Sequence, residues 1–321
     1  MNIKKALSLI AFFAIGVILF VKLMDMVEDK AELFDYMSSA PIWAISLTFI
    51  LGLLAIVSRG LRWIILLEPM GYAASNFRAI CAVAFGYFSN TFVPRSGEFV
   101  RCAALNSTDD IPVNKLIGTV ITERVVDLIM LFIFMSIALA TNFDAVLSLL
   151  NQILLPQGAT LIIAAIVLIS ISISIAGFII IRKSNKIATF VSGIVDGIKS
   201  VATMQHRTAF ILHTFFIWIM YFLMSYFLFK SMKGVSDIGV FDALWVMVSG
   251  GFGMVFPAPG GIGAYQWAVT LGFESIGYER LIGVAVANVV WITQTAMVII
   301  SGAVGYFFLA VYRFSLNKTT K

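Results

Sequence analysis

Apolar runs long enough to cross a membrane alternate with short polar connections along almost the whole chain. Six fall near 6–22, 42–66, 116–141, 159–181, 208–229 and 281–312. A helix of about 18 or more apolar residues spans hydrocarbon. Two further apolar stretches, 78–93 and 240–275, are broken by proline and glycine. The pattern predicts an all-α polytopic membrane bundle with six full spans and two re-entrant hairpins. An eight-span alternative would need FVRCAALNSTDDIPVNKLI, 98–116, as a crossing, and that stretch is too polar to span well. Irregular backbone at membrane depth must be covered by protein or by a watery cavity, so both breaks are expected inside the bundle.

Composition narrows the class. The chain is 60% hydrophobic and 12% charged, whereas a soluble domain carries about 25% charged residues. One integral-membrane unit over 1–321 is expected, with repeat halves near 1–141 and 159–312 and no soluble catalytic domain. The start, MNIKKALSLIAFFAIGVILF, has the basic opening and apolar run of a signal peptide. No small-residue cleavage site follows, so an uncleaved first span is the reading. Of 22 Lys and Arg, Lys22, Lys30, Lys230, Lys233 and Arg280 fall on one side. Arg124 lies within a span, and the other 16 fall at or near the opposite side. That bias places both termini in the cytoplasm, with the chain as a multi-pass protein of the cell (inner) membrane. The net charge of +5 is then a topology signal and not a nucleic-acid footprint.

The two broken segments resemble each other. FVPRSGEF and FPAPGGIG both carry Pro-x-x-Gly, as Pro94 to Gly97 and Pro257 to Gly260, about half a chain apart. Pro259, Gly261 and Gly263 add further breaks to the second. By the topology above, one hairpin enters from inside and the other from outside. Paired interrupted segments in corresponding halves point to a transporter's binding site. Coincidence is the alternative, because Pro-x-x-Gly is a common pattern.

Charges inside the spans carry the candidate chemistry. In ITERVVD, 121–127, Glu123 and Asp127 share one helix face, and Arg124 can pair with Asp127. An unpaired charge at mid-bilayer costs about 2.5–3.5 kcal/mol on the lenient scale, so these groups must face protein or water. They read either as a site or as an ion-pair clamp for helix packing. In SRGLRW, Arg59 and Arg62 sit beside Trp63. They read as an interfacial anchor or as a phosphate contact. In FVPRSGEFVR, Pro94 ends one helix and another restarts at Ser96 or Gly97, with Arg95 and Arg101 nearby. A helix N-terminus with added cations suits an anion, and Glu98 can orient an arginine three residues away. A set of local salt bridges at the inner surface explains the same spacing. Cys81 and Cys102 have no CxxC spacing, and His206 and His213 form no site. No catalytic triad, metal cluster or nucleotide loop appears, so no metal, cofactor or enzymatic activity is expected.

Four stretches taken in order resemble a known family. They are RGLRWIILLEPMG (59–71), FGYFSNTFVPRSGEFVRCAAL (85–105), TERVVDL (122–128) and FPAPGGIGAYQ (256–266). The chain is similar to the lysylphosphatidylglycerol synthase transmembrane-region family, whose best-known members are the flippase domains of bacterial multiple peptide resistance factors. The resemblance covers nearly the whole chain. It implies a helical bundle with re-entrant segments around a lipid-accessible cavity, and movement of phospholipid between leaflets. The positions carried over are Arg59, Arg62, Pro94, Arg95, Gly97, Glu98, Arg101, Glu123, Arg124, Asp127, Pro257, Pro259, Gly260, Gly261 and Gly263. Position 266 is Gln, where many members carry Glu. If that acid helps bind a cationic head, aminoacyl-lipid specificity does not carry over. The chain stops at Lys321, soon after its last span, so it is expected to resemble stand-alone members without the synthase domain.

The expectation is therefore a flippase-like transporter of a phosphate-headed lipid. The eight charged positions would form the head-group site, and the Pro/Gly turns would rearrange. The partners expected are membrane phospholipid and, in the homo-oligomeric case, a second copy. Two rivals stay open: an ion-coupled transporter of a small anionic solute, and a non-transporting partner of a lipid- or envelope-synthesis complex. A lateral opening between helices favours lipid; a sealed central cavity favours solute.

Overall fold

A computed structural model describes residues 3–145, 147 and 204–319. The span expected at 159–181 lies outside the described residues. Among those described, the chain is helical throughout, with no strand. Their helices are α1 (Ile3–Asp25), α2 (Lys30–Ser38), α3 (Ile42–Leu67), α4 (Asn76–Phe92), α5 (Gly97–Asp109) and α6 (Val113–Thr141). After the gap come α7 (Arg207–Ser231), α8 (Val240–Gly253), α9 (Ala264–Ser275) and α10 (Arg280–Thr319). Helices over 42–70, 113–141, 207–231 and 280–315 are long and apolar enough to cross a membrane. The 23-residue α1 has the length to do so as well.

Both interrupted segments fold back on themselves. α4 and α5 form one hairpin, and its feet are tied together where Arg78 binds Asp109 at 2.6 Å and the Ser75 amide donates to Asp109 at 3.2 Å. This end of the bundle also holds Lys115, Arg207 and Arg313, and we refer to it as the basic end. α8 and α9 form the second hairpin. Its feet lie at the other end, where Tyr278 donates to Asp237 at 3.1 Å and Lys233 reaches Asp35 at 2.7 Å. That end carries the acids Asp25, Glu28, Asp29, Glu32 and Asp35. Asp35 holds a proton on Lys233, raising its pKa through their hydrogen bond.

Close backbone contact makes each hairpin possible. A Cβ on Gly97 would stand 2.3 Å from the carbonyl oxygen of Gly86, and one on Gly253 would stand 2.5 Å from that of Ala264. The arms span roughly 18–25 Å at 1.5 Å per residue, short of a ~30 Å hydrocarbon core. The hairpins therefore enter from opposite ends and meet inside: Thr91, near the first tip, lies beside Gly260 in the second.

The two turns differ in build. The first links its arms through four residues, 93–96, with Arg95 in the left-handed region at φ 62°. The second takes ten, 254–263, and places Pro259, Gly260 and Gly261 in a 3-10 turn. Gly97 begins α5, whereas α9 begins only at Ala264. The Pro-x-x-Gly strings thus mark the breaks without placing their glycines in equivalent structure.

Candidate functional site

α3, α5 and α6 converge on a buried ion-pair network. Arg59 and Arg62 project from α3, Arg101 from α5, and Glu123 and Asp127 from α6. Arg101 binds Glu123 at 2.5 Å, and Arg62 binds Glu123 at 3.1 Å and Asp127 at 2.9 Å. Arg59 binds Asp127 at 2.5 Å and approaches Glu123 at 3.5 Å. Glu123 and Arg62 are fully buried, and Arg59 and Arg101 are nearly so. The one-turn spacing of the acids on α6 lets both address the same pair of arginines.

Aromatic groups complete the cage. Arg101 lies 4.7 Å from the Trp63 ring centroid, Arg62 5.5 Å from Phe210 and Arg59 5.7 Å from Tyr87. Such contacts stabilise desolvated cations. Arg59 also donates to Tyr87 at 2.9 Å and Tyr221 at 3.2 Å, and Arg62 to Thr214 at 3.0 Å. Three guanidinium cations face two carboxylates here, leaving one net positive charge. SRGLRW is accordingly not an interfacial anchor; Arg59, Arg62 and Trp63 are interior.

An outer arm leads from this network toward the first tip. Arg124, half-exposed, binds Glu98 at 3.4 Å and reaches Asp127 at 3.9 Å. Glu98 pairs across helices with Arg124, rather than with an arginine three residues away in its own segment. A void of 20 Å3, room for about one water, lies among Arg59, Tyr87, Asn90, Glu98, Arg101 and Arg124.

Beyond it, where the tips meet, lies a larger cavity of 290 Å3. The first hairpin contributes Tyr87, Asn90, Pro94, Arg95 and Glu98, the second Pro257, Gly260, Gly261 and Tyr265, and α10 contributes Trp291, Gln294 and Thr295. Asn90 accepts the Gly97 amide at 2.7 Å and so caps α5, taking one of the helix N–H groups that an anion would use. Trp291 donates to the Gly260 carbonyl at 2.7 Å and fixes the second turn. The cavity's neighbours are apolar and open: Phe92, Val93, Met254 and Val255 are all exposed.

The sequence-predicted residues thus fall into two groups. Arg59, Arg62, Arg101, Glu123 and Asp127 form the closed network, with Arg124 on its edge. Arg95 and Glu98 line the tip cavity with Pro94, Pro257, Gly260 and Gly261. Gly263 does not line it; at φ 77° it precedes α9 as its N-cap and lies against α1, where a Cβ would stand 2.0 Å from the Gly16 carbonyl. Gln266 is fully buried and accepts the Gly263 amide at 2.8 Å, so it caps α9 and does not line the cavity. His213 meets Ser58 at 2.8 Å as a helix contact, and Cys81 and Cys102 are buried free thiols. Among the described residues no His, Cys, Asp and Glu cluster could hold a metal. Tyr221, Trp291, Gln294 and Thr295 lay outside sequence reasoning, since single polar residues in apolar spans carry no local signal of what they face.

The fold and this site define a polytopic helical membrane protein with two opposed hairpins and an interior charge network. The chain belongs to the family described as the lysylphosphatidylglycerol synthase TM region, whose model matches residues 6–302. It is also similar to the UPF0104 membrane protein MJ1595 of Methanocaldococcus jannaschii, with 33% identity over 84 residues. That match covers 25% of each chain. No solved structure matches.

Proposed function

We propose that this protein moves a phosphate-headed phospholipid between the leaflets of the cell membrane, with the head group held in the cavity between the hairpin tips. The observation that carries this reading is the cavity itself. It joins charged and polar side chains from both hairpins and α10, and its neighbours on the tips are exposed and apolar. A lipid needs both: a wet place for the head, and an open apolar edge where the chains stay in hydrocarbon. A small solute needs only the first.

In this reading Arg95 contacts the phosphate directly, because Arg95 lines the cavity and a guanidinium matches phosphate in a two-pronged way. Glu98 offers a counter-charge to a cationic head. Arg59, Arg62, Arg101, Glu123 and Asp127 hold α3, α5 and α6 in register and supply a net positive potential behind the cavity. Direct contact between Arg62 and a head group would require the network to open. Transport is non-enzymatic, the termini are cytoplasmic by the positive-inside bias, and the turns at Pro94 and at 257–263 move as gates.

The test is head-group-labelled phospholipid movement in liposomes carrying the purified chain. Arg95→Gln should slow the initial rate at least tenfold while the protein elutes and unfolds like wild type. Liposomes in which no phospholipid moves, with uptake of a soluble anion instead, would replace this reading by the ion-coupled solute transporter.

A further inference from the structure

A second feature lies away from the tip cavity, on the other side of α4. A groove of 540 Å3 runs between α5 and α10, with walls from Phe85, Val100, Ala104, Leu309 and Tyr306. Ala103, Ala104 and Ala310 are short side chains that leave its length open. Arg313 lines one end, at the basic end of the bundle. It is exposed and has no ion pair among the described residues.

Depth decides what fits. The apolar run of α10, near 281–312, ends immediately before Arg313. Arg313 therefore stands at the level of lipid head groups. Tyr306 lies seven residues deeper, roughly 10 Å along the helix. The groove is thus cationic at the membrane surface and apolar below it, which is the profile of one phospholipid seen edge-on. Aromatic rings continue its apolar wall along α4. Phe85 lies 4.9 Å from Tyr306, Phe85 is 6.2 Å from Phe88, and Phe88 is 5.0 Å from the exposed Phe92 at the first tip.

We infer that this groove is a binding site for one anionic phospholipid of the leaflet at the basic end, with its phosphate on Arg313 and an acyl chain along α5 and α10. The site is separate from the tip cavity and needs no transport to exist.

Native mass spectrometry of the full chain, purified in mild detergent with phosphatidylglycerol added, tests it. Wild type should retain one phosphatidylglycerol per chain beyond any held through Arg95. Arg313→Gln should weaken that retention about tenfold, the scale of one charge-assisted contact. Ala103→Phe fills the groove from an exposed position and should abolish it. Arg95→Gln should lose at most the lipid held at the tips and still retain one phosphatidylglycerol per chain, which separates this site from the proposed transport site. Inorganic phosphate at millimolar concentration should not compete, since the chain supplies part of the grip. Retention unaffected by both Arg313→Gln and Ala103→Phe would overturn the inference, as would loss of all retained phosphatidylglycerol on Arg95→Gln or full displacement by phosphate.

Discussion

Glu123→Gln is the sharpest perturbation of this fold, because one carboxylate touches three arginines from two other helices. The wild-type network of Arg59, Arg62, Arg101, Glu123 and Asp127 holds one net positive charge. The substitution raises that to two and leaves Arg101 without its carboxylate at 2.5 Å. Glu123 is fully buried, so water cannot replace what is lost. Breaking a buried pair from one side costs about 3–5 kcal/mol. An unfolding entropy near 2.1 cal/mol/K per residue over 321 residues turns that into a fall in Tm of about 4–8 °C. Thermal unfolding in detergent or nanodiscs measures it. Arg101→Gln on the same background restores the charge count, so the double variant should recover at least 1 kcal/mol of the summed loss. Asp127→Asn should cost less, since Asp127 keeps some exposure. A Glu123→Gln protein that unfolds at the wild-type temperature, or strict additivity with Arg101→Gln, would show that the network does not hold the helices together.

Two further outcomes follow from backbone geometry and topology. Gly263→Ala should lower Tm by several degrees, since its Cβ would stand 2.0 Å from the Gly16 carbonyl at a φ of 77°. Gly71→Ala, at a φ of 78° in the left-handed helical region and with open space around it, should cost only about 1 kcal/mol of backbone strain; equal losses would deny that α1 is packed on the second hairpin. In a background with Cys81 and Cys102 replaced, an impermeant thiol reagent should label Asp110→Cys and Asp237→Cys from opposite faces of sealed vesicles. Labelling from one face would contradict hairpins that enter from opposite ends.

Much of the architecture is written in one dimension because hydrocarbon imposes it. A span needs unbroken apolar length, so α3, α6, α7 and α10 fall close to where hydropathy puts them. Proline and glycine interrupt that length only where backbone is covered, so the two hairpins were legible as well. Partner choice was not. The spacing of Glu123 and Asp127 shows that they share a face, but nothing local says that the face meets Arg59 and Arg62 some sixty residues away. Glu98 illustrates the limit: its neighbours at three-residue spacing are Arg95 and Arg101, yet helix packing gives it Arg124. The tip cavity was equally hidden, since it needs α10, whose Gln294 and Thr295 look like ordinary span residues.

The network has a firm interior and a loose edge, and that difference bears on how a head group could be handled. Inside, the charges are buried or nearly so, and all but Arg101 meet two or more opposite charges. At the edge, Glu98 and Arg124 are 3.4 Å apart and Arg124 is half-exposed, a contact worth at most about 1 kcal/mol. Glu98 is also the only carboxylate lining the tip cavity among the described residues. A phosphate arriving there faces Arg95 as an attraction and Glu98 as a repulsion, while Arg124 is already engaged by Glu98. Glu98→Gln should therefore free Arg124, remove the repulsion and tighten binding of an anionic phospholipid several-fold, with Tm changed by no more than a degree or two. For a head group bearing an ammonium the same variant should weaken binding instead. Measured side by side by lipid titration in nanodiscs, the two responses give Glu98 opposite signs for the two head-group classes. If both lipids respond alike, or neither responds, the head group does not sit against Glu98 and the cavity between the tips is not where it binds.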